Sequence, residues 1–313
     1  VEVVAVCDKD SARLKNIENM LANIQVYTDY QKILNDNTID AVVISTPAVT
    51  HYELTKAALV RNKHVLVEKP LALKIEQAQE LIAISENVKK ILMVGHTFLY
   101  NPAINKIKEI IEKEELGKIY YIHSRRTNLG PLRKDVNAIW DLSPHDISIM
   151  NYLLGQMPIE GSAYTQRFLS HDLEDVGFMI LKYPQDILLH IHVSWLDPKK
   201  VRETTIIGTK KMLVYDDINA NEPIRVYDKN VMKKTYDRQY TTFEEFQLII
   251  RDGEVQIPEV KTQEPLKVEC QHFIDSIINR TRPLTDGEDG LRVLKVIDAI
   301  NKSIVKRGEF VKI

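Results

Sequence analysis

Three short stretches carry residue types and spacings that suit chemistry. The first is His64–Pro70, HVLVEKP, in which Glu68 and Lys69 follow directly on the apolar run Val65–Val67. A lysine at the end of a buried strand is well placed to meet a ligand, because open α/β sheets bind ligands outside the carboxyl ends of their strands. The competing reading makes Glu68 and Lys69 solvated turn charges and Pro70 a loop punctuator. The second stretch is Asp141–Asp146, DLSPHD. Ser143 reads as a helix N-cap, Pro144 as the first helical residue and His145 as a member of the first turn. The positive end of a helix disfavours an imidazolium, so a histidine there stays available as a general base. Asp141 is placed to orient that ring, and Asp146 reads as a cap. The competing reading for His145 is a surface histidine. The third is Asp8, which ends the run Val3–Val6. An acid at the end of the second strand of a nucleotide-binding unit accepts hydrogen bonds from ribose hydroxyls and repels a 2′-phosphate. Otherwise it is a turn residue.

Two further features belong beside these. Thr46–Pro47 closes the run Ile39–Ser45, IDAVVIS, which as a fourth strand would lie at the switch point where dinucleotides bind. Arg125, Arg126, Asn128, Arg133 and Lys134 form a polar, basic run. It reads either as a solvated loop or as an anchor for a phosphate-bearing substrate, since guanidinium forks match phosphate oxygens. His190 and His192 share one strand face, which without a carboxylate reads as sheet surface rather than a metal site. No metal site is expected.

The elements that position these residues follow from periodicity. Up to about residue 100, short apolar strands alternate with amphipathic helices: Ser11–Leu21, Tyr30–Leu34, a helix through Arg61 opened by a Thr50–Glu53 capping box, and a helix with Ile75, Ala78, Leu81 and Ile82 on one face. That alternation predicts a parallel sheet with helices on both faces. After a helix at Pro102–Glu115 the rhythm changes. Strands are predicted at Ile119–Arg125, Glu160–Phe168, Val176–Tyr183, Ile187–Trp195, Glu203–Thr209, Met212–Tyr215 and Ile224–Tyr227. They predict an antiparallel sheet in a second, α+β domain. Helices at Pro265–Ile278 and Leu291–Val305 close the chain and are free to pack on either domain. The fold class is thus α/β, with a parallel-sheet domain over residues 1–100 and an α+β domain over 101–313.

Bulk properties exclude several classes. The net charge of −2 gives no general pull toward nucleic acid or an anionic membrane. The two cysteines, Cys7 and Cys270, have no metal-type spacing and fit a reducing, cytoplasmic compartment. No apolar run is long enough to span a bilayer. The sheet face that carries His190 and His192 offers an oligomer surface, and a homo-dimer or homo-tetramer is expected.

Asp8, Thr46–Pro47, Glu68–Lys69–Pro70 and the Asp141/His145 pair, in this order, resemble the Gfo/Idh/MocA oxidoreductase family. The segments EPLKVECQHFIDSI and DGEDGLRVLKVIDAI are similar to that family's closing helices. The resemblance implies a Rossmann-like NAD-binding domain in residues 1–100 and a substrate and oligomerisation domain in 101–313, built on a large, open, mostly antiparallel sheet. It implies NAD-dependent oxidation or reduction of a sugar or cyclitol hydroxyl, with NAD favoured over NADP by Asp8. It implies Lys69, His145 and Asp141 as the catalytic group in an interdomain cleft. Asp8, Thr46, Pro47, His51, Glu68 and Lys69 would hold the cofactor, and Asn128, Arg133, Lys69 and His145 the substrate. WDLSPHDIS with RTNLG upstream is similar to relatives acting on nucleotide-linked sugars, which points to C3 of a nucleotide-activated hexose. Two alternatives are a dehydrogenase of free sugars or inositols and a sugar sensor without turnover. The chain opens at Val1 within a strand pattern. The family's first strand and Gly-rich turn, roughly 30 residues, are therefore expected upstream, and without them NAD binding and folding are expected to suffer.

Overall fold

The computed structural model describes every residue except 22, 131–132, 134–135, 170–171 and 232–249. Lys134 of the basic run lies outside the described residues. The chain divides into two compact units, Val1–His96 with Lys267–Leu294, and Thr97–Leu266 with Lys295–Ile313.

The first unit is built on short parallel strands. β1 (Ala5–Cys7) pairs with β2 (Gln25–Tyr27), and β3 (Ala41–Ile44), β4 (His64–Glu68) and β5 (Leu92–Gly95) form a separate parallel sheet with β4 in the middle. Val65, Leu66 and Val67 of β4 are buried, as an unbroken apolar run requires when both faces are covered. Between the strands lie α1 (Ser11–Met20), α2 (Tyr30–Asn35), α3 (His51–Val60) and α4 (Ile75–Asn87). α4 buries Ala78, Leu81, Ile82 and Ser85, the i, i+3, i+4, i+7 stripe of a helix lying on a sheet.

The Thr50–Glu53 capping box does not form. Thr50 instead ends a 3-10 turn, Ala48–Thr50, and its hydroxyl donates to the Pro47 carbonyl at 2.7 Å rather than accepting from the helix. From Lys267 on, α7 (Pro265–Asn279) also belongs to this unit, and α8 (Gly287–Val305) begins in it. Gly290 lets α8 approach closely, since a Cβ there would meet Val94 at 2.9 Å and Leu71 at 3.2 Å.

The second unit holds α5 (Pro102–Glu112), β6 (Ile119–Leu129), α6 (Ala138–Leu154), β7 (Glu160–Gln166), β8 (Val176–Lys182), β9 (Leu188–Ser194), β10 (Leu196–Gly208), β11 (Met212–Asp216), β12 (Ile224–Val231), β13 (Ile250–Gln256) and β14 (Val311–Lys312). They form one sheet in the order β13-β12-β11-β10-β6-β9-β8-β7-β14, antiparallel throughout except between β6 and β9. Ile187, Leu189, Ile191, Val193 and Trp195 are buried, and His190 and His192 lie on the other face, as their alternation predicts. β10 begins at Leu196, earlier than the predicted Glu203. A register shift between Leu196 and Val201 lets the polar stretch DPKK ride over the partner strand as a bulge.

The largest correction concerns α6. Its N-cap is Asn137, whose side-chain oxygen accepts from Trp140 N–H at 2.9 Å. Ser143 is fully buried inside the helix and donates to the Ile139 carbonyl at 2.8 Å, and Pro144 is internal. His145 therefore stands two turns from the helix start, beyond the reach of the terminal dipole. Asn137 wins the cap because its amide nitrogen also donates to Glu174 at 2.6 Å, a partner 37 residues away. The left-handed Gly155 (φ +65°) ends the helix.

Candidate active site

In the first unit Asp8, Thr46, Pro47, Glu68 and Lys69 stand at the carboxyl ends of parallel strands. Asp8 follows β1. One of its carboxylate oxygens accepts the Asp10 N–H at 2.8 Å, and the other lies 3.6 Å from the exposed Arg13 guanidinium. Thr46 and Pro47 follow β3 and are exposed. The Thr46 and Thr50 hydroxyls are 2.7 Å apart. Because Thr50 spends its hydrogen on Pro47, Thr46 donates to Thr50 and is left with lone pairs for a ligand. Glu68 ends β4, directly opposite Gly95 of β5. A Cβ at Gly95 would lie 3.0 Å from a Glu68 carboxylate oxygen, so the glycine leaves room for that side chain. Lys69 comes next, half-buried, and is joined to Pro70 by a cis peptide bond. These acceptors, glycine and strand ends fit a dinucleotide, with the Asp8 carboxylate suited to a ribose diol.

His51 differs from its predicted neighbours. It is 1% exposed, and both ring nitrogens face backbone carbonyls, that of Pro70 and that of Thr46. His96, at the end of β5, is also buried, with Nδ1 2.6 Å from the Asp289 carboxylate. Sequence reasoning missed this pair, since 193 residues separate the two and no local spacing marks them.

In the second unit His145 and Asp141 are one helical turn apart on the same face of α6. Asp141 accepts from Arg133 at 3.0 Å. His145 meets Phe98 edge-on, with ring centroids 4.9 Å apart and planes at 67°. The Arg126 guanidinium lies 4.7 Å from the same phenyl centroid, and that of Arg202 5.6 Å. Arg126 is buried and donates to Asp146 at 2.8 and 3.3 Å, and Ser124 donates to the same carboxylate at 2.8 Å. Burial opposes the charge on Arg126, and the adjacent carboxylate outweighs it, so the guanidinium stays ionised.

Asp146 is thus no helix cap but the buried anchor of Arg126. Arg126 is in turn spent on Asp146 and Phe98 and is not free to grip a substrate phosphate. Arg202 is held by Asp217 at 3.1 Å, and Asp217 also accepts from Tyr215 at 2.8 Å. Asn128 donates to the carbonyl of Gly130. Among the described residues no group of three or more His, Cys, Asp or Glu could hold a metal ion. Nor is any helix among them long and apolar enough to cross a membrane.

Comparison with known proteins agrees with this architecture. Residues 1–96 match the model of the Gfo/Idh/MocA oxidoreductase family, NAD-binding Rossmann fold, and residues 108–313 match the family's C-terminal alpha/beta domain. The chain belongs to the Gfo/Idh/MocA oxidoreductase family, and its cofactor is NAD.

Among curated relatives, inositol 2-dehydrogenase of Salmonella paratyphi B is 32% identical over 160 residues, 50% of this chain and 48% of that protein. Such alignments span about half the length of the first curated relatives matched. A crystal structure of an oxidoreductase from Magnetospirillum magnetotacticum superposes with a TM-score of 0.79 at 26% identity, covering 95% of this chain and 90% of that one. UDP-N-acetylglucosamine 3-dehydrogenase from Acidithiobacillus ferrooxidans gives a TM-score of 0.81 at 21% identity, covering 97% and 90%. That likeness shows a shared fold.

Proposed function

We propose that the protein is an NAD-dependent dehydrogenase that oxidises, or in reverse reduces, a secondary hydroxyl on a sugar or cyclitol ring. The observation that carries this reading is Lys69, set directly after the central strand β4 of an NAD-binding unit and beside Glu68. Lys69 donates a hydrogen bond to the substrate oxygen and offsets the negative charge that grows there. His145 accepts the hydroxyl proton as general base. Phe98 fixes its ring, and Asp141 orients it from one turn earlier. Asp8 accepts the ribose hydroxyls, Thr46 with Pro47 and Glu68 flank the cofactor, and Asn128 and Arg133 hold the substrate. When bound, NAD supplies the hydride chemistry.

Within this class the inositol 2-dehydrogenase relatives support a free cyclitol. The RTNLG and WDLSPHDIS motifs favour a nucleotide-activated hexose oxidised at C3, with Arg133 rather than Arg126 reaching the diphosphate. The two widely separated cysteines, Cys7 and Cys270, fit a cytoplasmic enzyme.

A panel of inositols, free hexoses and nucleotide hexoses, followed by NADH absorbance, separates these readings. The expected result is turnover of one class. No turnover with any of them, together with bound NAD, would leave the sensor reading. Lys69→Ala is expected to lower kcat about 100-fold or more, as loss of a charge-stabilising donor does, while NAD affinity stays within about threefold. Turnover surviving within a few-fold would remove Lys69 from its role.

A further inference from the structure

His51 is the first residue of α3 and is almost wholly buried. Its Nδ1 lies 2.7 Å from the Pro70 carbonyl oxygen and its Nε2 2.7 Å from the Thr46 carbonyl oxygen. A carbonyl oxygen only accepts hydrogen bonds. A neutral imidazole has one N–H and one bare nitrogen, so it can serve one of these carbonyls and must turn a lone pair toward the other. Both contacts are hydrogen bonds only if both ring nitrogens carry hydrogen. Their length also falls in the short range of charge-assisted N–H···O bonds. The helix N-terminus at His51 opposes a cation, and the two carbonyl dipoles, aimed at the ring from both ends, compensate for it.

The two carbonyls belong to different turns. Thr46 follows β3, and Pro70 follows Lys69 at the end of β4. β3 and β4 are neighbours whose paired register ends at Ile44 and Val67, short of either turn. Past that point the ladder no longer ties the strands, and the His51 ring bridges them instead. We infer that His51 is a doubly protonated positioning residue that fastens the Thr46–Pro47 turn to the Lys69–Pro70 turn and so holds Lys69 in place. Buried and fully engaged, it serves the site through these two backbone segments rather than by touching cofactor. The catalytic consequence rests on the proposed function, whereas the protonated tie does not.

Two measurements test the inference. In protein labelled with 15N at histidine, correlation spectra at neutral pH are expected to show the His51 ring with hydrogen on both nitrogens. A ring with one bare nitrogen overturns the tie, and this readout needs only the wild-type protein. His51→Gln keeps a buried polar donor but cannot span both carbonyls. It is expected to lower kcat by about 10- to 100-fold, the cost of displacing a reacting group by about an ångström, with the KM for NAD changed less than about threefold. An unchanged kcat overturns the positioning role. If the wild type oxidises no ring hydroxyl, the functional proposal fails while the spectrum still decides the tie.

Discussion

Arg126 shows how a single residue changes meaning once its surroundings are known. In sequence it is one of several basic residues and reads as readily as a phosphate anchor as a loop charge. In the fold it is buried and makes a two-point bond to Asp146, with its face against Phe98. Removing one partner of such a pair strands a charge in a low-dielectric interior. Arg126→Ala is therefore expected to destabilise the protein by about 3–5 kcal/mol, read from urea unfolding. A loss below about 1 kcal/mol would show the pair to be solvated. The same residue steadies Phe98 and, through it, His145, so a folded Arg126 variant should also lose activity.

Lys69, Asp8 and Thr46 needed no such revision of place. Each directly follows a strand whose apolar run is visible in the sequence, and the strand end alone sets its position. His96 and Asp289 were invisible because their meeting depends on the α8 terminus docking beside β5.

At the level of elements, buried strands and amphipathic helices were legible, and helix starts were not. A cap is a contest between nearby polar side chains, and distant partners decide it. Ser143 and Asn137 both suit the role, and Glu174 gives it to Asn137. Strand β4 carries a further consequence at its first residue. His64 Nδ1 accepts the Ile91 N–H at 2.9 Å and must stay bare to do so. Burial, aided by Lys90, lowers its pKa from 6.5 to about 4. Between these values the unfolded chain binds a proton that the folded chain refuses. The stabilisation is complete above about pH 6.5 and is lost as pH falls toward 4. His190, His192 and His272 are shifted in the same direction. Thermal melts from pH 7 to 4.5 should show Tm falling with acid. His64→Asn, which keeps an acceptor that does not titrate, should flatten the slope by about one proton. A variant as acid-sensitive as the parent would exclude His64 as a source.

Among the described residues the nine-stranded sheet of the second unit is the largest sheet. α6 packs on β6, β8 and β9. The opposite face carries side chains in register, among them Tyr164, Phe178, His192, Arg125, Glu203 and Asp216 in one row. Tyr164 and Phe178 are exposed, and Phe178 stacks on His192 at 4.5 Å. These exposed aromatic rings offer apolar surface that a second copy of the chain would cover. On that ground we propose that the chain forms a homo-oligomer and does so through this face. Sedimentation should show a dimer or tetramer for the parent and a shift toward monomer for Phe178→Glu. An unshifted oligomer would place the interface elsewhere.

Sequence alone determined the order of strands and helices as far as β12, the change from parallel to antiparallel rhythm near residue 100, and the strand-end positions of Asp8, Thr46 and Lys69, whereas β13 and β14 carried no pattern that marked them. These follow from local periodicity and chain connectivity. Only the tertiary structure decided which polar groups remain available for chemistry. Arg126 is taken by Asp146, His96 by Asp289, and His51 by two carbonyls. The physical reason is desolvation. A polar group removed from water must find a partner, and which partner it finds depends on chain segments that local sequence does not connect.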